Sequence, residues 1–73
     1  MNYKDIAEQI LQNVGSAANI RTVTHGATRL RMEFNDRSKV QDDAVSQIPG
    51  VISVVEKGGQ FQVGIGNEVQ QVF

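Results

Sequence analysis

The sequence predicts an α+β two-layer sandwich, a four-stranded antiparallel sheet with helices on one face, in the order αββαββα with the last helix cut short. Two observations carry this. Two stretches place apolar residues at helical spacing, and each is followed by a pair of short alternating segments joined through glycine. A sheet with one apolar face must bury that face, and the two amphipathic helices are what the chain has to cover it.

The first helix is predicted over 3–14, where Ile6, Ala7, Ile10, Leu11 and Val14 recur on one side. Asn2 is the N-cap candidate, Asp5 stands three residues on, and Gly15 is a natural stop. "SAAN" then serves as a link. Residues 20–24 and 28–34 are predicted as a hairpin whose tip is "HGA"; Leu30, Met32 and Phe34 project to one face, Arg29, Arg31 and Glu33 to the other.

Beyond the turn cluster "NDRS", Val40, Ala44, Val45 and Ile48 predict a second helix closed by Pro49-Gly50. Residues 51–56 and 60–65 form a second predicted hairpin around "KGG", with Phe61, Val63 and Ile65 sharing a face. Asn67 is the expected cap of a final helix carrying Val69, Val72 and Phe73. The repeated helix-hairpin order is architectural, with no residue-level repeat and no linker, so one domain is expected over 1–73.

A chain of 73 residues buries only about 60% of its unfolded surface, which leaves little room for a large enclosed cavity. Its formal charge of -1 supplies no general basic field, so nucleic acid is excluded as a partner class. With no cysteine and one histidine, neither a disulfide scaffold nor a structural metal site is expected, and no cofactor is implied. The N-terminus is amphipathic and unlike a signal peptide, and no run approaches the roughly 20 apolar residues that span a bilayer. A soluble, cytoplasmic and monomeric chain is the expectation.

The chemistry-bearing segment is "THGATRLR", 24–31. Arg29 and Arg31 lie two apart on one strand face, about 6.6 Å between Cα atoms, so both guanidiniums can address one anion near the tip. Their planar forks match phosphate oxygens. The backbone amides around Gly26 and Ala27 and the Thr28 hydroxyl are further candidate donors. Alternating arginines also keep any half-buried sheet wet on one side, and a tip glycine is commonly a turn residue. His25 stands as a proton donor, a phosphoryl acceptor or a surface residue.

Other candidates carry less. "GIGN" at 64–67 lacks the third glycine and the parallel βαβ context of a dinucleotide fingerprint. "KGGQ" at 57–60 is a hairpin turn whose exit residue, Gln60, offers an amide to a ligand. Asp42 and Asp43 splay apart on a helix and suit a solvated face.

Taken together, "VTHGATRLRMEF", "IPGVISVV", "GGQFQVGIGN" and the preceding amphipathic helix resemble the enzyme IIB domain of the glucose/sucrose-type sugar phosphotransferase system, along essentially the whole chain. The "VTHxATRLR" form is closer to the branch handling β-glucosides, sucrose and trehalose. The resemblance implies a cytoplasmic domain of a cell-membrane permease, of which this chain would be a fragment. It implies a IIA domain whose phosphohistidine is the donor, a cysteine at the tip of the first hairpin as carrier, and sugar bound by the IIC permease domain as acceptor. It thus implies a component of a protein-phosphocysteine–sugar phosphotransferase.

The family's cysteine aligns with Gly26. Arg29 and Arg31 match its phosphate-stabilising arginines, and Gln60 matches a family glutamine through the "GGQ" context. Thr28, His25 and Ala27 fall in the phosphate-binding tip. Glycine has nothing to phosphorylate, so the chain as written is expected to be inactive in transfer. Three readings stay open here: a deliberate substitution, a natural paralogue that binds partners without transferring phosphate, or relocation of the acceptor to His25. A non-catalytic regulatory or phosphate-sensing module using the same clamp is the alternative function.

Overall fold

A computed structural model describes residues 2–73. Helix α1 spans Tyr3–Asn13; the Asn2 side chain accepts the Asp5 N–H at 3.1 Å, as expected of a cap. It stops where Gly15 and Ser16 both take positive φ, 90° and 71°, and the Ser16 N–H returns to the Leu11 carbonyl at 2.8 Å. A Cβ on Gly15 would stand 2.9 Å from the Lys39 Cβ, so glycine is needed here for space as well as for φ.

The sheet is antiparallel throughout, in the order β1-β2-β4-β3, from β1 (Ile20–His25), β2 (Arg29–Phe34), β3 (Ser53–Lys57) and β4 (Gln60–Gly64). Each predicted hairpin forms. They join through their second strands, pairing Leu30 with Val63 and Met32 with Phe61 across the centre. These four side chains are buried and meet Ile6, Ile10 and Val14 from the α1 segment. Phe34 packs edge-on against Phe61 at 5.4 Å.

The remaining helices are short. A 3-10 turn at Arg37–Lys39 precedes α2 (Asp42–Ser46), so Val40 and Ile48 are buried from irregular backbone rather than from one continuous helix. Two bonds, one local and one to the end of α1, hold the backbone that precedes α2. Asp36 caps the turn by accepting the Ser38 N–H at 3.0 Å, and the Gln41 N–H is taken by the Asn13 carbonyl at the end of α1 at 2.8 Å. Helix α3 (Val69–Val72) buries Val69 and Val72, and its cap is Glu68 rather than Asn67.

The "SAAN" link contains a buried polar hub. Asn19 donates from Nδ2 to the Val14 and Asp36 carbonyls at 2.8 and 2.9 Å, and its Oδ1 accepts the Asp36 N–H at 2.8 Å. Its own carbonyl accepts the Asn35 N–H. The end of α1 is thereby fastened to the exit of β2 with every polar atom of the side chain satisfied.

A cationic clasp holds α2 to β3. Arg37 donates to Asp42 at 2.7 Å and to Glu56 at 3.2 Å while its guanidinium lies 5.2 Å from the Phe61 ring centre. The hydrogen bond from Arg37 holds the Asp42 carboxyl below its ordinary 3.8, and both carboxylates push the Arg37 pKa further up. A depressed carboxylate stabilises the fold above its unfolded pKa and loses that contribution as pH falls through the folded value. Arg37→Gln should therefore cost about 0.5–1 kcal/mol at pH 7, the scale of a half-exposed pair, and much less near pH 2.5. Urea unfolding of both proteins at the two pH values checks this; a gap that does not shrink with acid would contradict it.

Candidate anion-binding hairpin

The site sits where the first hairpin turns on the helix-free face of the sheet. Alternation along β2 buries Leu30 and Met32 beneath the helices and leaves Arg29 and Arg31 exposed on the other side. The turn closes with the Gly26 N–H donating to the Arg29 carbonyl at 2.9 Å. It is braced from outside the hairpin, because the Thr28 carbonyl accepts two amides, from Ile65 at 2.9 Å and from Gly66 at 3.0 Å. Gly66 meets this bond with φ 103°, so the "GIGN" segment is a brace for the tip.

Position 26 faces Arg31. A Cβ built on Gly26 would stand 2.8 Å from Arg31 Nη2 and 3.2 Å from its Cζ. The Gly26 φ lies outside the left-handed region, so an ordinary side chain is conformationally admissible there. Among the described residues the nearest obstacle is the far end of a flexible arginine, which can move aside.

Both guanidiniums keep their charge unspent. Among the described residues neither Arg29 nor Arg31 pairs with a carboxylate; the nearby acid on the same strand, Glu33, is engaged by Arg21 at 3.2 Å. Arg29 donates instead to a neutral amide, Gln62 Oε1, at 2.9 Å, and Gln62 Nε2 donates to Gln60 Oε1 at 2.9 Å. A neutral hydrogen bond is worth about 0.5–1.5 kcal/mol, against about 1.5–3 for a bond to a charged group, so an incoming oxyanion outcompetes the amide for Arg29. Among the described residues the amides of Ala27 and Thr28 have no backbone acceptor.

Gly26, Ala27, Thr28, Arg29 and Arg31 are thus brought together, and two of the sequence candidates are not. Gln60 lies at the far end of β4 opposite Lys57 and reaches Arg29 only through Gln62. His25 pairs with Leu30 and so shares the helix-side face, its ring edge-on to Phe73 at 4.8 Å and its Nδ1 2.9 Å from the Gly26 carbonyl oxygen. Gln62, only 9% exposed and cross-strand from Arg31, is the side chain that sequence reading passed over. Alternation does place residues 60, 62 and 64 on one face, but the β2–β4 pairing that singles out 62 is a long-range fact. Among the described residues no cluster of His, Asp and Glu would hold a metal ion.

The site is thus an exposed hairpin tip of an α+β domain, with the Arg31 guanidinium beside position 26 and Arg29 turned to Gln62. Comparison with known proteins gives this domain a family. The sequence profile described as "phosphotransferase system, EIIB" matches residues 8–41. The chain is 48% identical over its full length to a PTS system beta-glucoside-specific EIIBCA component of Dickeya chrysanthemi. It is 43% identical over its full length to a sucrose-specific EIIBC component of Staphylococcus xylosus. It spans 12% and 15% of those two relatives, respectively.

Among solved structures, one domain of the PTS system IIabc component from Clostridium difficile superposes with a TM-score of 0.88 at 35% identity, covering 96% of this chain and 74% of that one. The chain belongs to the phosphotransferase-system EIIB family.

If the Arg31 guanidinium lies where a residue-26 side chain would go, Gly26→Asp should create a short ion pair. The expected result is an introduced carboxyl titrating below the unperturbed aspartate value of about 3.9 and a stability gain of about 0.5–1 kcal/mol at pH 7. Carboxyl-carbon NMR titration reads the first; a carboxyl at position 26 titrating at or above its ordinary value would contradict the geometry.

Proposed function

We propose that this domain is a phosphoryl-handling component of a sugar phosphotransferase, built to relay phosphate at the 26–31 hairpin. The observation that supports this most is the contact between the Arg31 guanidinium and the side-chain position of residue 26. A nucleophile there would start life beside a cation. Partners of matching kind are a IIA-type domain carrying phosphohistidine and a IIC-type permease domain that binds sugar, the domain working on the cytoplasmic side of the membrane. No helix among the described residues is long and apolar enough to cross a membrane.

The chemistry of such a relay has two steps. A thiolate at position 26 would attack the donor phosphorus, a P–S bond forming as the P–N bond breaks, with the leaving imidazole nitrogen taking a proton from solvent. A sugar hydroxyl would later attack the same phosphorus, the O–P bond forming as the P–S bond breaks, its proton passing to solvent and the thiolate being released. Arg29, Arg31 and the Ala27 and Thr28 amides neutralise the phosphoryl oxygens in both steps, which is most of what catalysis of phosphoryl transfer requires.

With glycine at 26 there is no atom to form the P–S bond, and the relay stops at this domain. His25 is poorly placed to replace it, because its ring is turned to the helix side and packed on Phe73.

The test is phosphoryl transfer from a phosphorylated IIA domain, followed by intact mass. Gly26→Cys should gain one phosphoryl group and the glycine form none. Adding Arg31→Gln to the cysteine variant should slow labelling by about 10²–10³-fold. Labelling of the glycine form would overturn the role given to position 26, and failure of both forms would overturn the relay.

A further inference from the structure

His25 stands next to position 26 and takes no part in the relay chemistry. Its imidazole is nevertheless fixed at two points: Nδ1 lies 2.9 Å from the Gly26 carbonyl oxygen, and the ring meets Phe73 edge-on at 4.8 Å. Phe73 is tied in turn through its N–H to the Val69 carbonyl at 3.0 Å, at the end of the helix that buries Val69 and Val72. We propose that His25 is a positioning residue of the hairpin tip: it holds the Gly26 carbonyl to the helix side and so turns the Ala27 N–H to the open face, where Arg31 stands. What that amide then serves rests on the relay reading; how it is oriented does not.

A carbonyl oxygen can only accept, so the ring nitrogen beside it carries the hydrogen. This assigns the Nδ1–H tautomer to the neutral imidazole and leaves Nε2 bare. Register places the ring, because His25 pairs with Leu30 on the face that the helices cover. The bond from Nδ1 therefore draws the Gly26 oxygen toward that face. No described peptide bond is cis, and in a trans peptide the carbonyl and the following N–H point in opposite directions. The Ala27 N–H accordingly points away from the imidazole, and among the described residues it has no backbone acceptor.

The tip has a second anchor of the same kind. The Thr28 carbonyl is held by the Ile65 and Gly66 amides, which fixes the peptide after Thr28 as His25 fixes the peptide before Ala27. Rotation of the Gly26–Ala27 peptide would carry the Ala27 N–H to the helix side, and the His25 bond opposes it. Imidazolium also donates from Nδ1, so protonation of the ring leaves the anchor in place.

Two readouts test this. The first is imidazole nitrogen NMR of the unaltered chain in alkaline solution, where the ring is neutral; the expected spectrum has Nδ1 protonated and Nε2 bare. The second separates the ring from the donor. His25→Phe keeps a ring against Phe73 and loses the Nδ1–H, whereas His25→Asn puts an amide nitrogen close to where Nδ1 stood and loses the ring. The Ala27 amide resonance should move in His25→Phe and return most of the way in His25→Asn. In the Gly26→Cys background, phosphoryl labelling from a phosphorylated IIA domain should slow about tenfold with His25→Phe, the loss of one oriented contact to a charged group, and recover with His25→Asn.

Asparagine carries no charge, so that recovery assigns the effect to the donor and not to an imidazolium. A proton on Nε2, an unmoved Ala27 amide or undiminished labelling in His25→Phe, or a His25→Asn variant no better than His25→Phe, would overturn the positioning role. Failure of the relay reads differently: if Gly26→Cys is never labelled, the relay falls, and the nitrogen spectrum and the Ala27 amide alone decide for or against the anchor.

Discussion

The antiparallel pairing of β2 with β4 is the constraint on which the rest of this structure depends. It sets Leu30 beside Val63 and Met32 beside Phe61 under the helices, and by the same register it sets Arg31 beside Gln62 and Arg29 beside Gly64 on the open face. A slip of one residue would turn the arginines into the core and expose the apolar row, so burial fixes the site's composition. A small residue keeps the neighbouring β3–β4 pairing close. A Cβ on Gly64 would collide with Ser53 Oγ on β3, next to the position that faces Arg29.

The chain spends its arginines in two ways. Arg37 is committed to structure, satisfied by two carboxylates and laid over Phe61, and Arg21 is paired with Glu33. Arg29 and Arg31 are left without counter-charge among the described residues on an exposed surface, where water meets most of the cost of keeping them ionised. Pairing Glu33 with Arg21 matters as much as the arginines themselves. Had that acid bridged to Arg31, the clamp would have been filled from within the sheet.

Much of this was legible in the sequence because it is local. The Asn2 cap, the Gly15 stop and the apolar faces of α1 and of both hairpins all follow from short-range spacing. The placing of Gly26, Arg29 and Arg31 at one tip follows from it too. What escaped the sequence depends on contacts between distant segments. Asn19 looks like linker until Asp36, 17 residues away, closes its hydrogen bonds. The helix expected through Val40 and Ile48 shrinks to Asp42–Ser46, the backbone before it being held by Asp36 and Asn13. Gln62, rather than Gln60, meets Arg29 because of a cross-strand pairing that no local pattern reveals, and His25 is drawn to the opposite face by its register with Leu30 and by Phe73.

The central claim is that this hairpin builds an electropositive seat for a reacting group at position 26. Its most direct test needs no partner protein: the thiol pKa of the Gly26→Cys variant, from the pH dependence of its alkylation rate. Two guanidiniums and free backbone amides should lower that pKa clearly below the ordinary value of about 8.5. Replacing both arginines with glutamine should bring it back. A thiol that titrates at or above that ordinary value with both arginines in place would mean that the clamp does not act on position 26, and the account given for the site would fall.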